Sequence, residues 1–123
     1  MSKSIITKYE DLSVFSNKKA TCQHHCIFGQ YGALRSKADA DGVWIPLTDD
    51  EHNMSSKGNT LCIHGNSAAE KLSKMLGQMA WERKYLAEKL ANVSRDGLDE
   101  KSVDEWFDEA REAFRNRYSE SFL

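Results

Sequence analysis

Proline is almost missing from this chain: Pro46 is the only one in 123 residues. That excludes a proline-rich linker or recognition module. No stretch approaches the roughly 18 to 20 consecutive apolar residues that a membrane-spanning helix needs, so no membrane partner is expected. The opening residues, MSKSIITKYEDLSVF, lack the apolar centre and small-residue cleavage site of a secretory signal, and a cytoplasmic location is expected. Positive charge is not in excess either: 17 Lys and Arg stand against 19 Asp and Glu, for a net charge of -2. Bulk charge therefore does not draw this chain to nucleic acid, and any such contact needs a local basic patch or a bound cation. Cysteine is scarce and odd in number. Cys22, Cys26 and Cys62 cannot all pair within one chain, so thiols or metal ligands are expected in place of a disulfide framework.

What is present divides the chain by character. Its length suits one domain with one modest core, and 40% hydrophobic with 29% charged residues is a globular balance. Residues 1 to 20 are polar with scattered apolar positions and read as an N-terminal extension. Residues 21 to 66 hold every histidine and cysteine, the proline, and Gly29, Gly32, Gly42, Gly58 and Gly65. That segment reads as loop-rich with short strands. GVWIPL, Gly42 to Leu47, is the best strand, with Pro46 marking an edge or an end. MSSKGN, Met54 to Asn59, is a turn, and TLCIH, Thr60 to His64, an extended piece or helix entry.

From Ser67 the pattern becomes helical. Ser67 and Glu70 form a capping box, and Ala69, Leu72, Met75, Leu76, Met79, Ala80, Leu86 and Leu90 mark one apolar face of a helix over about 67–92. SRDG, Ser94 to Gly97, interrupts it. A second box, Ser102 with Glu105, opens a helix over about 102–116 whose face is Val103, Trp106, Phe107, Ala110 and Phe114. Its acidic start and basic end suit the helix dipole. These two faces are expected to pack on each other.

The histidines concentrate the chemistry. His24, His25, His52 and His64 all precede residue 65, and none follows. A single histidine is ordinarily a surface or hydrogen-bonded residue, but imidazole is also the commonest nitrogen ligand for zinc and similar ions. In an extended segment the adjacent pair His24-His25 sends its rings to opposite sides. One can hold a metal while the other acts on a water or substrate. A competing set is Cys22, Cys26, Cys62 and His64, a Cys3His zinc combination. Small buried hydrophobes are the third option for those cysteines.

The residues His24-His25-Cys26-Ile27-Phe28-Gly29, Arg35-Ser36, Val43 to Asn53, Ile63-His64-Gly65-Asn66 and Gln78 resemble small phage and prophage HNH-type proteins. Those belong to the ββα-metal, or His-Me finger, nucleases. The likeness spans about residues 22 to 82, and FRNRYSESFL near the end is similar more loosely. It implies an α+β fold with a ββα-metal core, a short β-hairpin and C-terminal helices, filling residues 21–123. It implies a metal-dependent DNA endonuclease working in a bacterial host cell, with His24, His52 and His64 as ligands of one divalent metal ion (Zn, Mg, Mn or Ni) and His25 as general base. Eleven residues, NMSSKGNTLCI, separate His52 from His64 and must loop out. Thr48 and Glu51 stand where family members often carry cysteines, and no central asparagine is present to orient the base, which leaves a backbone carbonyl for that task.

The chemistry fits those residue types. A neutral imidazole takes a proton from water near neutral pH. A guanidinium grips phosphate oxygens in a bidentate way, which makes Arg35 the added phosphate contact. Lys71, Lys74, Arg83 and Lys84 are placed to follow a DNA backbone or simply to be solvated. The rival class is a non-catalytic nucleic-acid- or protein-binding module that keeps a structural zinc.

Overall fold

The computed structural model describes residues 2–52, 62–95, 97 and 100–123. Two short strands carry the site. β1, Cys22–His25, pairs antiparallel with β2, Trp44–Leu47, in the register Cys22 with Leu47, Gln23 with Pro46, His24 with Ile45 and His25 with Trp44. Cys26 N–H extends the ladder to the Val43 carbonyl at 3.0 Å. Pro46 is accommodated because a two-stranded sheet has only edges. Its carbonyl still accepts from Val14 N–H at 3.1 Å.

A helix that the sequence pattern did not mark connects the strands. α1 spans Ala33–Asp41, inside the segment expected to be loop and strand. It opens at Gly32 without a side-chain cap and ends at Gly42, whose φ of 75° is the left-handed conformation that glycine adopts without strain. A single helical turn, α2, spans Asp49–His52. The turn expected over Met54 to Asn59, and the loop between His52 and His64 over 53–61, lie outside the described residues.

The two long helices follow. α3 spans Ser67–Ala91 and α4 spans Val103–Tyr118. The box at Ser102 and Glu105 forms as expected at the start of α4. At α3 the expected box does not form. Asn66, one residue earlier, is the cap and accepts from the backbone N–H groups of Ala68 and Ala69, at 2.9 and 3.1 Å. Ser67 is then already helical, and Glu70 is released to bond His64.

The faces that pack are also rotated from expectation. Leu72, Leu76 and Met79 are exposed, while Ser73, Gly77 and Gln78 are buried. Close approach explains this. A Cβ on Gly77 would lie 2.9 Å from atoms of Cys26, Ile27 and Val43, so only a small-residue face lets α3 sit down on the sheet. On α4, Val103 and Phe107 of the expected face are exposed, whereas its Ala110 and Phe114 are buried as expected, joined by Tyr118. Trp81 of α3 meets Phe114 edge-on at 5.5 Å between centroids. The core joins these residues to Ile27, Leu34, Val43 and Ile45. The N-terminal segment packs on this body: Ile5 N–H bonds the Gly42 carbonyl, and Ser4 Oγ donates to the Trp44 carbonyl at 2.7 Å. The result is an α+β fold built on a small two-stranded antiparallel sheet. None of its described helices is long and apolar enough to cross a membrane.

Candidate metal centre

Consecutive residues on β1 face opposite sides, so His24 lies under α3 and His25 faces α1. His24 is fully buried. Its Nε2 is 2.6 Å from Ser73 Oγ, and that hydroxyl donates its one proton to the Cys26 carbonyl at 2.9 Å. Ser73 Oγ therefore accepts from His24, and Nε2 is the protonated nitrogen of the ring. Nδ1 is left with a bare lone pair. Among the described residues it is the one buried side-chain nitrogen or oxygen without a hydrogen bond. Leaving a buried acceptor unpaired costs about 1–3 kcal/mol, so it calls for a partner.

Two more imidazoles stand where a shared partner would be. His52 closes α2, and His64 lies in a single 3-10 turn, Ile63–Gly65. The three rings form a triangle with centroids 5.1, 5.1 and 4.7 Å apart. One nitrogen from each lies within 4.8 Å of the others. Nitrogens sharing a tetrahedral zinc sit about 3.4 Å apart given Zn–N bonds of about 2.1 Å, so small side-chain movements close the set. His64 Nδ1 bonds Glu70 Oε2 at 2.9 Å, which turns its Nε2 lone pair away from the carboxylate. A carboxylate behind one imidazole nitrogen and a metal on the other is a recurrent second-shell arrangement. Cys62 Sγ donates to the His52 carbonyl at 3.4 Å and ties the returning chain to α2.

Burial, reinforced by His52 and His64, pushes the His24 imidazole down to about 3. His52 is also lowered, by burial first and then by His64 and Arg35. Both rings are neutral at ordinary pH and keep their lone pairs. The donor set thus fits a divalent ion of the zinc type: three nitrogens, one of them orphaned, with a cavity of about 350 Å³ beside them lined by Gln23, His25, Phe28, Arg35, His52 and His64.

The cysteine alternative does not assemble. Cys22, Cys26 and Cys62 are free thiols, and the histidine triad is the one metal-compatible group among the described residues. Burial raises the Cys26 thiol to about 12, and burial with Asp49 nearby raises Cys22 to about 11. These thiols stay protonated, and Cys22 donates to the Leu47 carbonyl at 3.5 Å. Thr48 and Glu51 form a hydrogen-bonded brace. Buried Glu51 Oε1 accepts from Ser13 Oγ at 2.6 Å and Thr48 N–H at 2.9 Å.

His25 has different company. Its Nε2 bonds Asp39 Oδ1 at 2.9 Å, and its Nδ1 accepts from Arg35 Nε at 3.3 Å. A carboxylate only accepts, so Nε2 is the protonated nitrogen when the ring is neutral, and Nδ1 holds the lone pair. A side-chain carboxylate on α1 thus takes the orienting position expected of a backbone carbonyl. Arg35 and Asp39 are four residues apart on one helix face, a spacing the sequence displays once α1 is recognised. Sequence reasoning does not find Ser73 and Glu70 as site residues, because Ser73 reads as an ordinary helix position and Glu70 as the capping-box partner of Ser67. Of the basic residues noted on α3, Lys74 lies close to the cluster, over the Phe28 ring at 4.6 Å, and Lys84 pairs instead with Glu88 at 3.8 Å.

Set against known protein families, curated proteins and solved structures, the chain matches none. The class that fold and site define is therefore geometric: a small α+β domain with a three-histidine cluster beside a histidine–aspartate pair.

Proposed function

We propose that this protein is a metal-dependent endonuclease that hydrolyses DNA phosphodiester bonds, and that its strands with the start of α3 form a ββα-metal core. The observation that carries this reading is the orphaned Nδ1 of His24, inside a three-histidine cluster, with His25 next to it on the same strand and engaged by Asp39. His24, His52 and His64 would hold one divalent ion, which when bound supplies Lewis-acid stabilisation of the phosphate and the leaving oxygen.

The chain's own groups divide the remaining work. His25 Nδ1 is the base that takes a proton from water. Asp39, whose side chain is partly exposed, fixes the ring's tautomer and stabilises the positive charge that His25 then carries, as a carboxylate does for other catalytic histidines. Arg35 shields Nδ1 through a long 3.3 Å bond from a side chain that is exposed. A guanidinium prefers a bidentate phosphate to a single imidazole, so substrate phosphate draws Arg35 away and frees the base. Three ligands with an adjoining cavity favour this reading over a structural zinc, which takes four closed protein ligands.

The test is plasmid nicking by protein supplied in turn with Mg, Mn, Ni and Zn, comparing wild type with His25→Ala. Loss of a general base lowers the rate by about 10² to 10⁴. The substitution is expected to leave metal content and fold unchanged. A wild-type protein that binds metal yet cuts no DNA with any of the four ions would remove the enzyme and leave the binding module.

A further inference from the structure

The chain between β1 and α1 has an unusual shape. Gly29, Gln30, Tyr31 and Gly32 have φ values of 118, 52, 56 and 89° in succession. Glycine accepts that region freely, but Gln30 and Tyr31 do not. Strain of this kind persists only where surrounding structure imposes it, and it gathers at functional sites. Its outcome is specific. Tyr31 is 110% exposed, its ring projecting into solvent with nothing to bury it.

Tyr31 is also at the rim of a cavity of about 600 Å³, lined by His25, Arg35, Ser36 and Asp39 among others. His25 and Arg35 line this cavity and the smaller one over His52 and His64 as well, so the two share a wall. Their charges differ. Asp39 borders the larger cavity, whereas no carboxylate is among the residues bordering the smaller. A phosphate is repelled by Asp39 and belongs with the histidines. A neutral group with hydrogen-bond donors and a flat apolar face suits the larger space, which falls in the volume range of small-molecule sites.

We propose that this larger cavity is a nucleoside subsite, and that Tyr31 is its stacking platform for the base adjoining the scissile phosphate. The proposal rests on the endonuclease reading above and adds a substrate class to it. A base can lie on Tyr31 only after leaving its own stack, so the preferred DNA is single-stranded or unpaired at the cleavage point. Stacking on one aromatic discriminates little among bases, because each has a π-face, so weak sequence preference is expected.

Fluorescence anisotropy on the zinc-loaded protein tests this without cleavage, using a labelled oligothymidylate and a duplex of equal length, both with cleavage-resistant phosphorothioate linkages. Wild type should bind the single strand more tightly. Tyr31→Ala should weaken single-strand binding by about 5- to 100-fold, the range for losing one base stack, while duplex binding changes less. Tyr31→Trp should restore it. The side chain is exposed, so none of these variants is expected to unfold. Equal single-strand affinity in Tyr31→Ala and wild type would overturn the subsite and leave the endonuclease standing. Failure of wild type to bind either DNA would also overturn it. Plasmid nicking then judges the endonuclease separately.

Discussion

Two polar centres in this small protein, one partly buried at Asp41 and one fully buried at His24, are finished differently. At Asp41, where α1 ends, both carboxylate oxygens have partners. Oδ2 accepts from Trp81 Nε1 at 3.0 Å, Arg117 Nε at 3.0 Å and Tyr118 Oη at 2.8 Å, and Oδ1 accepts from Arg117 Nη2 at 2.9 Å. That knot ties α1, α3 and α4 together. At His24 one nitrogen is fastened by Ser73 and the other has no partner. A satisfied centre is scaffold. A centre with one nitrogen held and the other unpartnered is what the proposed metal site would need.

The comparison can be broken from the scaffold side first. Phe114 is fully buried, stacked on Tyr118 and met edge-on by Trp81. Phe114→Ala should cost about 3–5 kcal/mol in chemical denaturation. Trp106→Ala should cost clearly less, because Trp106 is only half-buried, with Lys101 over its ring at 4.6 Å. If Trp106→Ala proves as damaging as Phe114→Ala, the buried face of α4 has been misplaced.

A smaller loss is expected at the knot. Asp41→Ala leaves the donors of Trp81, Arg117 and Tyr118 without their acceptor, and charged hydrogen bonds contribute about 1.5–3 kcal/mol each before rearrangement. We expect about 2–3 kcal/mol off the unfolding free energy with metal content unchanged. A variant that keeps its stability but loses metal would erase the distinction between the centres.

The effect of Ser73→Ala should be read in metal affinity more than in stability. Without its hydroxyl, His24 Nε2 loses the acceptor that sets its tautomer. Losing such an outer-shell partner lowers metal affinity by about 10- to 100-fold. Titration with zinc against a competing chelator measures it, and an unchanged affinity would show that Ser73 does not prepare His24.

Legibility in the sequence followed the same line between scaffold and site. α3 and α4 announced themselves by period and by capping residues, because local rules govern exposed helix ends. Yet Asn66 displaced Ser67 as cap, and the apolar stripe Leu72–Leu76–Met79 misled, since tight packing at Gly77 selected small residues for the buried face. α1 was invisible because it starts on glycine with no side-chain cap. Asp39 went unseen with it, although His25 is what that carboxylate holds. The histidines were legible by residue type, and their grouping as His24, His52 and His64 came only from the resemblance. Their convergence depends on strand register, a helical turn and a 3-10 turn, none of which local pattern encodes.

The central claim is the proposal that His24, through its unpartnered Nδ1, is a metal ligand. Metal content per chain, measured after zinc loading and exhaustive dialysis, tests it without requiring activity. We predict one ion per wild-type chain, loss of that ion in His24→Ala, and retention in His25→Ala and in Cys22→Ser/Cys26→Ser/Cys62→Ser. A folded His24→Ala protein that still carries one ion, or a wild type that carries none, would contradict the account.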